Sequence, residues 1–283
     1  MTVFSSGSFI LFLAIAAGPV FAQDCDVRDF LEMRIDGDES RPNWQTAILL
    51  GYPETSVQQG AGALDVLHYD DQVVPLSDAS DRPAQDVLAN AMVGDQFRDV
   101  YPLGRDLVSR LSPFQDPGRA RNAEFFAVLY GPDRTGVEGD LTTVDVGPVG
   151  QALFRVTRRH GVACQLSAAF AAVEDHWDEL APFFNQPGGG YNWRSIAGTN
   201  RLSAHSYGIA VDINAALGGY WRWSGATEGD VGNYDNKVSW RLVEIMERHG
   251  FIWGGKWHHF DGMHFEYRPE LILYSRLVEG DTR

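Results

Sequence analysis

The segment Ser203-Ala-His205-Ser-Tyr-Gly208-Ile-Ala210-Val-Asp212-Ile-Asn214 places an aspartate inside an apolar run. Asp212 lies among Ile209, Val211 and Ile213, which read as a strand, and a carboxylate there is costly unless it is paired or bound to a metal. The fold must therefore bring it a partner. His205 is a candidate, but it lies seven residues earlier. On one continuous strand the two would face opposite sides, because side chains alternate. A shared role needs a break between them, and Gly208 supplies one. His205 is then expected on the turn entering the strand, with Asp212 inside it. Ala210, on the strand face of Asp212, leaves space beside the carboxylate.

A second segment, Trp257-His258-His259-Phe260-Asp261-Gly262-Met263-His264-Phe265-Glu266-Tyr267, offers further groups. An imidazole at 264 would complete a His, Asp, His set of three protein ligands, leaving a fourth tetrahedral position for water as catalytic zinc requires. Asp261, three residues before His264, is the candidate to take that water's proton. A turn residue before Gly262 is its competing reading. Ser203 reads as a hydrogen-bonding neighbour of His205 rather than a nucleophile. Neither a Gly-x-Ser-x-Gly element nor a His-Glu-x-x-His helix occurs, so those hydrolase motifs are excluded.

Ser-x-His-x-x-Gly-x-Ala-x-Asp followed about fifty residues later by Asp-x-x-His resembles the VanY-like, M15-type zinc D-alanyl-D-alanine carboxypeptidases and related L,D-endopeptidases that trim peptidoglycan peptides. The likeness spans roughly Ala120 to Glu270 and includes Trp253-Gly-Gly-Lys-Trp257 and His264-Phe-Glu-Tyr-Arg-Pro-Glu270. It implies Zn2+ held by His205, Asp212 and His264, with Asp261 as general base. It also implies an arginine upstream of the first ligand that holds the substrate carbonyl or carboxylate. Arg194 is the choice for that role and Arg201 the second. The compact α+β fold of these enzymes, shared with the hedgehog signalling domain, comes with the resemblance. A His-x-His second motif, found in related amidase-type peptidases, is ruled out because residue 262 is Gly.

The implied activity is hydrolysis of a peptide bond in the peptidoglycan stem peptide, of the D-Ala-D-Ala carboxypeptidase type. A non-catalytic zinc module that binds cell wall and a zinc peptidase acting on another peptide are the alternatives. His68, His160, His176 and His249 sit in no ligand-spaced pattern and read as ordinary surface or core residues. Of His258 and His259, one is read as lining the pocket or replacing Asp261 as proton carrier, or as a surface residue beside Trp257, the surface being favoured. Trp221, Trp223, Trp253 and Trp257 are candidates to wall a peptide groove, with core positions the more common fate of such residues.

Along the chain, Glu124–Tyr130, closed by Gly131-Pro132, reads as a buried strand, and Gln151–Thr157 as another. Leu166, Phe170, Val173, Trp177 and Leu180 form one helical stripe, and Val238, Leu242, Ile245, Met246 and His249 a second, ending at Gly250. Gln186-Pro-Gly-Gly-Gly190 breaks the chain between them. Phe251–Trp253 and Met263–Tyr267 read as strands. Helices with antiparallel strands give an α+β class. Helical pieces are expected at Asp26–Arg34 and Gln85–Met92.

Three parts are expected: a signal peptide at 1–22, an acidic N-terminal region at 23–115 whose role the sequence does not reveal, and a zinc peptidase domain at 116–283. Residues 23–100 hold 16 acidic and 5 basic residues, so the formal net charge of −15 is concentrated early. Such a surface excludes nucleic acid, whose affinity comes mainly from Lys and Arg on phosphates. Phe9–Phe21 is an apolar stretch ending Val20-Phe21-Ala22, with small or aliphatic residues at the cleavage positions, and too short to span a bilayer comfortably. The expectation is export to the periplasm or beyond, with no membrane span in the mature chain. Cys25 and Cys164, the only cysteines, would form one disulfide in an oxidising compartment, with two buried thiols as the alternative.

Overall fold

The structure is a computed structural model that describes residues 26–60, 64–148 and 150–281. The expected signal peptide and Cys25 lie outside the described residues; Cys164 is disulfide-bonded. In chain order, α1 (Asn43–Gly51) precedes the strands β1 (Ser56–Gln59), β2 (Asp65–Tyr69) and β3 (Gln72–Pro75), which form an antiparallel sheet. Next come α2 (Ala84–Ala89), α3 (Ala123–Tyr130) and α4 (Arg134–Gly139), then the hairpin of β4 (Leu141–Val146) and β5 (Ala152–Thr157). After α5 (Val162–Glu174) and α6 (Trp177–Leu180), the chain builds the sheet that carries the site from β6 (Pro187–Gly189) and β7 (Ala210–Asn214). Following α7 (Ala215–Gly218) and α8 (Trp240–Arg248), β8 (Phe251–Trp253) and β9 (His264–Tyr267) complete that sheet in the order β6-β7-β9-β8, and α9 (Pro269–Glu279) closes the described chain. Helices and antiparallel sheets make the α+β class expected from the sequence.

Strand β9 sits in the middle of its sheet and is buried throughout. On one side it pairs with β7 in the register Asp212↔His264, Val211↔Phe265 and Ala210↔Glu266. On the other it pairs with β8, Trp253 opposite Phe265. Because side chains alternate, this register puts Asp212 and His264 side by side on one face, while Val211 and Phe265 enter the core on the other. Behind the sheet, α8 buries Leu242, Val243, Ile245 and Met246, and it is capped by Ser239, whose side chain accepts from the Arg241 N–H. Gly250 follows with φ of +87°, as its place at the helix end requires.

Several elements differ from their sequence reading. Residues 124–130 are the helix α3 and not a strand. Asn122 Oδ1 accepts the Phe125 N–H at 2.8 Å, an N-cap that selects the helix. With Phe125, Phe126, Val128, Leu129 and Tyr130 all buried, the run had no polar face to reveal its period. The long stripe 166–180 is split into α5 and α6. At Asp26–Arg34 there is a turn instead of a helix, in which Asp29 Oδ1 accepts from the N–H groups of Leu31 and Glu32. The expected helix at 85–92 is the shorter α2. The glycine-rich 186–190 segment is no mere break, since it supplies the edge strand β6.

The acidic early region and the rest of the chain share one hydrophobic core that runs from Phe30, Ile48 and Tyr52 through Phe126 and Val211 to Trp253 and Leu271. Polar contacts cross it as well. Tyr52 Oη donates to Glu270 Oε2 at 2.7 Å, Tyr101 Oη to Glu247 Oε1 at 2.5 Å, and Lys256 Nζ to the Pro102 carbonyl at 2.7 Å.

Candidate metal centre and active site

His205 lies on a 3-10 turn, Ala204–Tyr207, that ends at Gly208 with φ of +69°. Only a residue tolerant of the left-handed region turns the chain here from the histidine into β7. The Ser203 side chain accepts from the His205 N–H at 3.4 Å, the neighbour role read from the sequence. The hairpin 191–203 is sewn onto the same turn: Asn192 N–H donates to the His205 carbonyl at 3.1 Å, and Arg194 N–H to Ser206 Oγ at 3.0 Å.

His205, Asp212 and His264 converge. His205 Nε2 is 3.1 Å from Asp212 Oδ2, His264 Nδ1 is 3.0 Å from Asp212 Oδ1, and the two nitrogens are 3.2 Å apart. Zinc–nitrogen and zinc–oxygen bonds of about 2.0–2.1 Å in a tetrahedral site separate donor atoms by about 3.3 Å, so this triangle has the size such an ion needs. The outer nitrogens are also provided for. His205 Nδ1 lies 2.7 Å from the Gly190 carbonyl, to which it donates, and His264 Nε2 lies 3.3 Å from Glu266 Oε2. Ligating histidines require such orientation. The donor set and these supports fit a zinc ion.

The electrostatics follow from burial. Burial opposes the charge on Asp212, but His205 and His264 facing it hold its carboxyl well below the usual range. Burial also opposes charge on His264, yet Asp212 and Glu266, one at each ring nitrogen, raise it to about 10. Asp261 moves the other way: burial pushes it up to about 6, with His264 pulling it down and Asp212 pushing it up. Its Oδ1 is buried and meets no hydrogen-bond partner among the described residues. A buried carboxyl raised this far can exchange a proton near neutral pH. The turn that carries it is tight, with Asp261 N–H donating to the Gly254 carbonyl and His264 N–H to the Asp261 carbonyl. A Cβ at Gly262 would run into the Gly218 carbonyl, which explains why no second histidine stands there.

Arg194 has an exposed side chain on the hairpin beside the His205 turn. Arg201 is more enclosed. Its Nη1 donates to the Arg119 carbonyl at 3.3 Å, and its buried Nε has no hydrogen-bond partner among the described residues. Burial, reinforced by Arg121 and Arg119, lowers it to about 10. Both His258 and His259 are buried, and the surface position favoured for them is overturned. His259 pairs with Asp116 at 2.6 Å and accepts the Gly229 N–H at 3.1 Å, while His258 Nδ1 lies 2.9 Å from the Arg110 carbonyl. Trp221, Trp253 and Trp257 are core residues; Trp223 alone of the four is exposed, at 62%.

Glu266, Arg121 and Arg268 were missed in the sequence. Glu266 is fully buried, pairs with both arginines and faces His264. Burial opposes its charge, but Arg121 holds its carboxyl well below the usual range. Its signals were its place two residues after His264, on the same strand face, and its place with Arg268 in the run 264–270 that carries the resemblance. Nothing in the pattern pointed to Arg121.

Among the described residues no helix is long and apolar enough to cross a membrane. Residues 197–267 match the family model described as D-alanyl-D-alanine carboxypeptidase. Neither the curated proteins nor the solved structures gave a match. The matched segment carries His205, Asp212, Asp261 and His264, and it supports assignment of the protein to the M15-type peptidases.

Proposed function

We propose that the protein is an exported zinc peptidase that hydrolyses a peptide bond in the peptidoglycan stem peptide, acting as a D-Ala-D-Ala carboxypeptidase. The observation that carries this reading is the triangle of His205 Nε2, the Asp212 carboxylate and His264 Nδ1, with Asp261, whose buried Oδ1 meets no hydrogen-bond partner among the described residues, interacting electrostatically with it. A zinc ion held by those three residues would polarise the scissile carbonyl and lower the pKa of water to about 7. Asp261 accepts the proton of the attacking water and returns it to the leaving amine. Arg194, with Arg201 as second choice, presents its planar donors to the developing oxyanion or to the terminal carboxylate of the substrate. The substrate class rests on the family match over 197–267, and the compact fold of that family belongs to the same reading. Export rests on the Phe9–Phe21 apolar stretch and is supported by the disulfide at Cys164, which suits an oxidising compartment.

The test is mass spectrometry of purified muropeptides incubated with the protein in zinc and in chelator. A product lacking one terminal D-alanine, formed only with zinc, is expected. An internal cut would make the enzyme an endopeptidase. No product from folded, zinc-loaded protein would favour the non-catalytic wall-binding module or a peptidase of other substrates.

A further inference from the structure

Glu266 is fully buried on β9, on the face that carries His264, and opposite Ala210 of β7. The methyl side chain at 210 leaves room for it. Its Oε2 lies 3.3 Å from His264 Nε2. Two guanidiniums compensate its charge: Arg121 grips it through both Nε and Nη2, the Nε contact being 2.9 Å, and Arg268 Nη1 lies 3.3 Å from Oε1. An ionised carboxylate only accepts hydrogen bonds. The proton of a neutral His264 is therefore drawn to Nε2, and the lone pair is left on Nδ1, the nitrogen beside Asp212 and His205.

We infer that Glu266, clamped between Arg121 and Arg268, is a positioning residue that sets the tautomer and ring orientation of His264 for metal binding. The inference rests on the metal-site reading above. It assigns to Arg121, which directly precedes the N-cap of α3, and to Arg268 the task of fixing the Glu266 carboxylate against His264. Glu270 is a built-in comparison: it binds the same Arg268 at 2.5 Å and accepts from Tyr52 Oη, but it is not among the partners of His264.

In Glu266→Gln the arginines would claim the amide oxygen, so the NH2 would face Nε2 and move the ring proton to Nδ1. Zinc affinity of the purified full chain, measured by competition with a chromophoric chelator, is expected to weaken about 10- to 100-fold. Glu270→Gln removes the same buried charge next to Arg268. It is expected to lower the melting temperature of the metal-free protein while leaving zinc affinity within about twofold of wild type, since it leaves the groups that orient the ligand in place. The milder Arg121→Lys keeps the charge but loses the fork, and a severalfold loss of zinc affinity is expected even where Glu266→Gln does not fold. Unchanged affinity in Glu266→Gln or Arg121→Lys, or an equal loss in Glu270→Gln, would overturn the positioning role. Wild-type protein that binds no zinc would overturn the metal-site reading and this inference with it.

Discussion

At the scale of residues, the proposed function separates holding a metal from moving a proton. His205 and Asp212 lie within one short segment and His264 arrives across the sheet, whereas Asp261 belongs to the turn before β9. Asp261→Ala is therefore expected to retain zinc, read by metal analysis, while turnover of a muropeptide falls by about 10²–10⁴-fold. His205→Ala is expected to lose both, and full activity in Asp261→Ala would remove it as the base. Arg194→Ala is expected to lower kcat/KM by about 10²-fold without shifting the unfolding transition, because its side chain is exposed. The convergence of His205, Asp212 and His264 was legible because each residue type is costly or conspicuous in its local setting. The role of Glu266 was not legible: its charge is offset chiefly by Arg121, 145 residues away in sequence, together with Arg268.

At the scale of elements, close backbone approach decides the geometry. Strand β6 runs against β7 with Gly189 opposite Asp212, and a Cβ at Gly188 would lie 2.7 Å from the Asp212 Cβ. Gly188→Ala is expected to cost about 1–3 kcal/mol in urea unfolding. It should also weaken zinc binding, because the displaced neighbour, Asp212, is itself a proposed ligand. Asn122→Ala makes a useful contrast: losing the α3 cap should cost about 1 kcal/mol and leave zinc affinity unchanged in the same titration. The capping asparagine was visible in the sequence beside a run of apolar residues, yet a fully buried helix and a buried strand share that pattern. By contrast, α8 alternates buried and exposed residues at helical spacing and was legible from the sequence alone.

At the scale of the whole molecule, the acidic early region is tied to the rest of the fold through charged and polar groups that are themselves buried. Lys256, fully buried, pairs with Glu247, which also accepts from Tyr101. The Asp116–His259 pair anchors the loop that leads to Asp261. Within the early region, burial opposes the charge of Asp95, but the N–H groups of Ser80 and Met92, the Ser80 hydroxyl and Arg82 hold its carboxyl below the usual value. Its folded pKa is depressed, so the unfolded chain binds the proton more tightly. The stabilisation is complete above the unfolded value of about 3.9 and is lost as pH falls through the folded value. Urea unfolding from pH 6 to 2.5 is expected to show Asp95→Asn less stable than wild type at pH 6, with the gap closing in acid. A gap independent of pH would show that the charge does not matter there. By itself the sequence determined the α+β class, the break at Gly208 and the need of Asp212 for nearby partners, because alternation along a strand and the cost of a buried carboxylate are local rules. Only the tertiary structure decided the helix at 123–130, the burial of His258 and His259, and the arginine clamp on Glu266. Each of these depends on which distant group fills the space or balances the charge, and no local pattern carries that information.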